Sequence, residues 1–290
     1  MTGLEPTRSP AQTAADNDSP RTNVDPGGPN EPRRRRGRAR LLLPLLTTLG
    51  LIAAWQLLSV VGVIPQEIAS PARIVGWLAE HVQTVGFWTS LRLTLWHWAA
   101  GLAIAVVAGV VVGLALGTVP VVRLLLNTTL ELLRPIPAVI YLPVVLLLWG
   151  GTSTTAIMLV AVGAFWPMLF QTAYGAGAVD PMLQDTGKLF GLRPRQRLMQ
   201  VTLPSILPYV ATGLRISSSL ALIVAVAIEL IGGVPGLGAD LAKFAANGVY
   251  DGLYGLIAVT GVLGFIINLG MERAEHRVLH WHVAHRGGST

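Results

Sequence analysis

Arg215 and Glu229 are the only formal charges in the apolar stretch 203–231. A charge in such a setting is costly, and where it persists it commonly meets a substrate, an ion or a partner group. The two are fourteen residues apart, ~21 Å along a helix, so they cannot pair with each other within one helix. Each also has an ordinary explanation. Arg215 stands within snorkelling reach of a membrane face. Glu229 comes just before the turn-rich Gly232-Gly233-Val234-Pro235-Gly236-Leu237-Gly238. Ser217, Ser218 and Ser219 either line a polar cavity or bond to their own helix backbone. Elsewhere the residue types that carry catalysis are missing or badly spaced. Cysteine is absent, which excludes disulfides, thiolate metal sites and a cysteine nucleophile. Gly187-Lys188 is followed by Leu189, so it is no phosphate loop. His276, His280, His282 and His285 are spaced loosely like a metal cluster but read better as a solvated tail at a membrane surface. No nucleophile–base pair stands out. The chain reads as non-catalytic, with no metal and no cofactor of its own.

The elements that hold these residues are set by composition. Of 290 residues, 52% are hydrophobic and 12% charged, about half the charged share of a soluble domain. Mean hydropathy is +0.59. That excludes a disordered chain and argues against a soluble enzyme. The net charge of +6 invites a nucleic-acid reading, but the 21 basic residues cluster at the edges of apolar runs and form no basic groove. Nucleic acid is therefore not an expected partner; membrane lipid is.

Residues 1–40 are rich in Pro, Thr, Asn, Asp and Gly, poor in large apolar side chains, and end in Arg33, Arg34, Arg35, Arg36, Arg38 and Arg40. They read as a disordered, basic cytoplasmic tail. The uncharged run that follows, 41–66, is too long for a signal peptide and gives a first span over 41–63. The next uncharged run, 93–122, holds span two. Residues 135–179 are too long for one crossing and divide at Gly150-Gly151-Thr152-Ser153 into span three, 132–149, and span four, 155–174. Span five covers 203–231 and span six 252–271. Residues 41–272 thus form one six-span, all-α domain, and 273–290 a second cytoplasmic tail.

Lys and Arg orient it. With both termini inside, the inner segments hold seventeen and the outer ones only Arg73 and Lys243, a strong positive-inside bias. Span two carries Gly101, Ala105, Gly109, Gly113 and Gly117 at intervals of four, a face on which another backbone can pack closely. Span three carries Pro135, Pro137 and Pro143, each lacking a backbone donor. A broken helix in lipid must lie against protein or a water-filled cavity. Pro137, Pro143, Arg215, Ser218 and Glu229 are the candidates to line a pathway through the membrane.

The inner loop between spans four and five, 177–202, is the most informative stretch. Asp180-Pro181 offers a cap and a first-turn proline for a short helix. Gly191 is placed to end it, and Arg193-Pro194 starts a second helix leading to Leu203-Pro204. An amphipathic, basic helix–glycine–helix suits docking to a soluble partner, or else rests on anionic lipid.

These residues resemble the coupling motif of ABC importer permeases: Glu-Ala-Ala, three residues, Gly, nine residues, Ile-x-Leu-Pro. Gly191 matches the glycine, Val201 the isoleucine, and Leu203-Pro204 the ending. Asp185-Thr186-Gly187 stands where the family has Glu-Ala-Ala, keeping an acid followed by two small residues. Leu133-Arg134-Pro135-Ile136-Pro137, Phe165-Trp166-Pro167, Thr212-Gly213-Leu214-Arg215 and Glu229 through Gly238 resemble the subfamily that imports sulfonates, taurine or nitrate. The match runs from about Leu41 to His282 and leaves out the N-terminal tail.

The resemblance implies the six-helix type I ABC importer permease fold in a bacterial plasma membrane. It implies a second permease copy, expected as a homodimer, two cytoplasmic ATP-binding subunits on the loop, and an extracytoplasmic substrate-binding protein. It also implies a small organic anion, an aliphatic sulfonate first, with nitrate, taurine or a vitamin precursor as alternatives. ATP hydrolysis would belong to another chain. A stand-alone secondary transporter is the alternative of a different class; internal repeats and a charged midplane site would favour it, and neither is evident. A non-transporting scaffold is disfavoured by the broken third span and the coupling loop.

Orientation is testable because the chain has no cysteine. In intact cells an impermeant thiol reagent is expected to label Gln66→Cys and Ala245→Cys and to spare Gln196→Cys. Labelling at 196 overturns the assigned sidedness.

Overall fold

The computed structural model describes residues 36–278. The chain divides into two compact units, 1–51 and 52–290. Helix α1, Arg36–Val60, crosses that division, and everything from α2 onward lies in the second unit. The tail 1–35 and the histidines 280, 282 and 285 lie outside the described residues.

Regular structure among the described residues is helical throughout. Helix α2, Pro71–His81, starts at Ser70, whose hydroxyl accepts from the Arg73 amide. Helix α3, Val85–Thr118, starts at Thr84, which accepts from Phe87. These are the side-chain acceptors that helix starts favour. Next come α4, Pro120–Leu133, a 3₁₀ turn, Ala138–Tyr141, and α5, Leu142–Trp149. Helix α6 is Ser153–Gly177 and α7 is Pro181–Leu189. Helix α8, Pro194–Arg197, runs through a π turn, Leu198–Thr202, into α9, Leu203–Gly232. Helices α10, Leu237–Ala246, and α11, Tyr250–Val278, complete the described chain.

Four of these runs are long and apolar enough to cross a membrane: α3, α6, the continuous Pro194–Gly232 and α11. Span three, expected over 132–149 as a proline-broken helix, is two helical segments. Helix α4 and the segment Ala138–Trp149 meet at 83°, because Pro135 and Pro137 both lack the amide that would carry the helix through. Counted as one bent crossing, the pair gives a fifth span. The apolar part of α1, Leu46–Val60, is shorter than a crossing, so length alone does not reach six. Helix α1 begins at Arg36 and α11 runs on to Val278, so helix extends past both expected tail boundaries, 40 and 273.

Helix α6 is the centre of the second unit. On one side it meets α3 through the small-residue stripe. A Cβ on Gly109 would lie 2.8 Å from Met168 Cβ and 3.1 Å from the Leu169 amide nitrogen. One on Gly113 would lie 2.6 Å from the Leu169 carbonyl oxygen. On the other side α6 meets α9, where a Cβ on Gly213 would come within 3.0 Å of Gln171 Cβ. Leu102, Leu159, Val160, Ala164, Ala221, Ala225 and Ile228 fill the space among the three helices. Towards the end holding α2 and α10, Leu237, Leu241 and Leu256 form a second core under Trp77 and Phe244.

Because the α3–α6 contact has no room for a side chain, Gly109→Leu is expected to cost ~1–3 kcal/mol or more and to lower the melting temperature in detergent. Gly270→Leu, where nothing lies within 4 Å, should leave the melt unchanged. Equal melts for the two variants would refute the packing assignment.

Candidate functional site

The inner loop is built by local capping. Asp180 accepts the Met182 amide at 2.8 Å with Pro181 in the first turn, so α7 starts where the sequence places it. At its end the Gly191 amide bonds to the Lys188 carbonyl at 2.9 Å and the Leu192 amide to the Gly187 carbonyl at 3.0 Å. Gly191 has φ +72. This paired closure, with a left-handed glycine after the last turn, is the Schellman arrangement. The chain reverses there into α8, where the Gln196 side chain accepts the Arg193 amide at 2.8 Å.

Gly187 is buried because the stem of Arg197 lies across it; a Cβ would be 3.3 Å from Arg197 Cγ. Asp185 pairs with Lys188 at 2.6 Å in the open, a pair of small energetic weight. Thr186 turns its hydroxyl back to the Met182 carbonyl. Val201 and Leu203 pack on Ala176, Val179 and Ile206, which seats the loop on the ends of α6 and α9. Pro204 has no amide for the carbonyl one turn back, and the π turn occurs there. Met182, Leu183, Leu189 and Phe190 remain exposed. Five of the seven motif residues lie in this capped loop and Leu203 and Pro204 open α9; the loop leaves an apolar surface exposed.

At the far end of α9, Glu229 is completely buried. One carboxylate oxygen accepts from the Thr94 hydroxyl at 2.8 Å and the Gly238 amide at 3.0 Å; the other meets His97 Nδ1 at 2.8 Å. His97 Nε2 reaches the Ser153 hydroxyl at 2.9 Å, and the Leu237 amide donates to Thr94 at 2.9 Å. A Cβ on Gly236 would overlap the carboxylate. The glycine-rich turn thus wraps Glu229 and holds α10 beside α3 and α9. In an apolar interior such a network is favourable because every member is bonded.

The remaining candidates are spread out. Arg215 meets Glu275 at 3.4 Å, linking α9 to α11. Ser217 donates to the Ala164 carbonyl at 2.8 Å, tying α9 to α6. Ser219 bonds back to the Arg215 carbonyl. Ser218 is buried with its hydroxyl unpartnered among the described residues, while its carbonyl accepts from Trp98 at 3.0 Å. Pro137 starts the 3₁₀ turn and lines a cavity, and Pro143 lies in the first turn of α5. Among the described residues no group of three potential ligands could hold a metal ion. Sequence reasoning missed Thr94 and His97. The signal was present: His97 lies four residues before Gly101 and so continues the stripe that faces α6.

Helices long and apolar enough to cross a membrane, packed around a broken span with a capped loop at one end, describe a membrane-embedded helical protein. Residues 105–280 match the family described as the binding-protein-dependent transport system inner membrane component, and the chain belongs to that family, the permeases of ABC importers. The putative aliphatic sulfonates transport permease protein SsuC of Bacillus subtilis (strain 168) is 27% identical, over 92% of this chain and 96% of that protein. The taurine transport system permease protein TauC of Escherichia coli (strain K12) is 30% identical, over 83% and 88%. A solved structure of the MetNI methionine ABC transporter in an inward-facing conformation shares the fold, with a TM-score of 0.55 and 20% identity over 70% of this chain and 96% of that one. Members of this family are membrane components that work with separate ATPase subunits and a binding protein.

The wrapping of Glu229 separates a structural role from contact with cargo. Glu229→Leu strands His97 and the Gly238 amide, an expected loss of about 3–5 kcal/mol, visible as a collapse of the monodisperse peak in detergent. Glu229→Gln should be milder and, per folded molecule, should transport normally. Normal stability with lost transport would instead place Glu229 on the pathway.

Proposed function

We propose that the chain is the permease subunit of an ATP-driven importer for a small organic anion, an aliphatic sulfonate first. Six spans, inner termini, a homodimeric pathway and two docked ATPases complete the reading. The observation that carries it is α7: a short helix, capped at both ends and exposing Met182, Leu183, Leu189 and Phe190 outside the apolar spans. An apolar face of this kind on a short helix between the spans suits a groove in a soluble subunit.

Asp185, Thr186, Gly187 and Gly191 shape this helix, and Val201, Leu203 and Pro204 tie it to α9. Closure of the ATPase dimer would move α7, and α8 would pass the movement into α9, switching the bundle between inward- and outward-facing states. The sulfonate preference is supported by the similarity to permeases named for aliphatic sulfonates and taurine. Relatives named for bicarbonate and nitrate keep an inorganic anion as the second reading.

Gly191 supplies the test. A side chain in its left-handed conformation costs ~1 kcal/mol or more, and a β-branched one more still. Gly191→Val is expected to insert normally, to lose ATPase on co-purification and to lose substrate-dependent uptake. Gly191→Ala should do both to a lesser degree. Wild-type uptake and partner binding in Gly191→Val would show that the loop does not couple. Ligand screening of the partner binding protein with sulfonates, taurine, nitrate and bicarbonate tests the substrate separately.

A further inference from the structure

The bend in span three opens a cavity of about 400 Å³ between the 134–139 segment, α6 and α9. Its wall on α6 is aromatic. Trp166, Phe170 and Tyr174 stand at successive helical turns, with Trp166 and Phe170 6.4 Å apart and nearly parallel, and Phe170 and Tyr174 6.2 Å apart. Ile216, Leu220 and Val224 close the α9 side. One cation enters this apolar surface. The Arg134 guanidinium lies 4.8 Å from the centre of the Phe170 ring. No carboxylate lines the cavity, and among the described residues Arg134 has no acidic partner within salt-bridge distance. The acid one turn away, Glu131, takes the Asn127 amide at 2.9 Å and lines a different cavity.

This arrangement has a definite ligand preference. Stacking on Phe170 occupies the face of the guanidinium and leaves its edge N–H donors free to fork onto two oxygens of an anion. Gln171 adds an amide at the same wall. The remaining surface is apolar and offers burial to a hydrocarbon group. A bare oxyanion would use the fork and leave the rings unsatisfied; a neutral apolar molecule would use the rings and leave the cation unpaired.

We propose that this cavity binds the transported anion inside the permease, with Arg134 taking the sulfonate oxygens and Trp166, Phe170 and Tyr174 the alkyl chain. The assignment rests on the organic-anion reading above and adds to it a site of selection in the membrane, separate from that of the binding protein.

The test uses the whole transporter, permease with its ATPase and binding protein, in proteoliposomes, with radiolabelled butanesulfonate and nitrate as probes. Wild type is expected to take up butanesulfonate in preference to nitrate. Arg134→Gln should lower butanesulfonate uptake about tenfold or more, with complex assembly and basal ATP turnover retained. Arg134→Lys should keep part of the uptake, because it keeps the charge and loses the fork. Trp166→Leu should weaken the preference for longer over shorter alkanesulfonates while leaving Arg134-dependent uptake in place. If wild type transports butanesulfonate and both Arg134→Gln and Trp166→Leu transport it with unchanged rate and KM, the site is wrong and the substrate class stands. If wild type transports nitrate and no alkanesulfonate, the substrate class is wrong and the site assignment falls with it. Should Arg134→Gln fail to assemble, Arg134→Lys and Trp166→Leu decide the matter by the same readings.

Discussion

Two helices of this protein approach so closely that their backbones almost touch, and the rest of the second unit is arranged around that approach. In lipid there is little hydrophobic gain from bringing helices together, so close packing must supply the attraction. At Gly101, Gly109, Gly113 and Gly117 no side chain stands between α3 and α6, and a Cβ would collide there. With α3 seated on one face, α6 has its opposite face free for α9, where Gly213 again allows a short distance. Helix α6 is the most enclosed of the four long apolar runs. The broken third span then lies against α6 and α9, where its free backbone groups can be accommodated.

Helix α9 links the two ends of the second unit. With α8 and the π turn it makes one continuous run of 39 residues, Pro194–Gly232, ~58 Å at the helical rise. One end carries the loop 177–202, and the other carries Glu229, gripped by Thr94, His97 and the Gly238 amide. The two departures from regular helix, the π turn at Leu198–Thr202 and Pro208, lie close to the loop. The Glu229 end of α9 is held to α3 and α10.

What could be read from the sequence follows from how local each cause is. Asp180-Pro181 and Gly191 act within a few residues, so the limits of α7 were legible without a structure. The stripe in span two was legible because a repeat of four belongs to one helix face. The break in span three was legible as prolines, but its 83° angle was not, since that depends on what α6 and α9 leave room for. The role of Glu229 was the hardest to see. Its partners Thr94 and His97 are more than 130 residues away in the chain, and only folding brings them together. The same holds for Arg134: its chemistry depends on Phe170, which the sequence gives no reason to place beneath it.

A binding site in a transport pathway has to satisfy opposed demands, and the cavity at the bend shows how one chain can meet them. Conduction requires a site strong enough to admit the anion and weak enough to release it. A buried, fully paired guanidinium would hold an anion too firmly, because each interaction gains strength as water is excluded. Arg134 is exposed, whereas Phe170 beneath it is only 6% accessible. Where water reaches that side chain its attraction stays modest, while the rings give a graded contribution of roughly 0.8 kcal/mol for each methylene they bury. Selection on this basis is shallow for any single step, about fourfold per methylene. High selectivity then has to come from the separate binding protein that this family uses. On this proposal the permease need only prefer cargo with both an anionic head and an apolar tail.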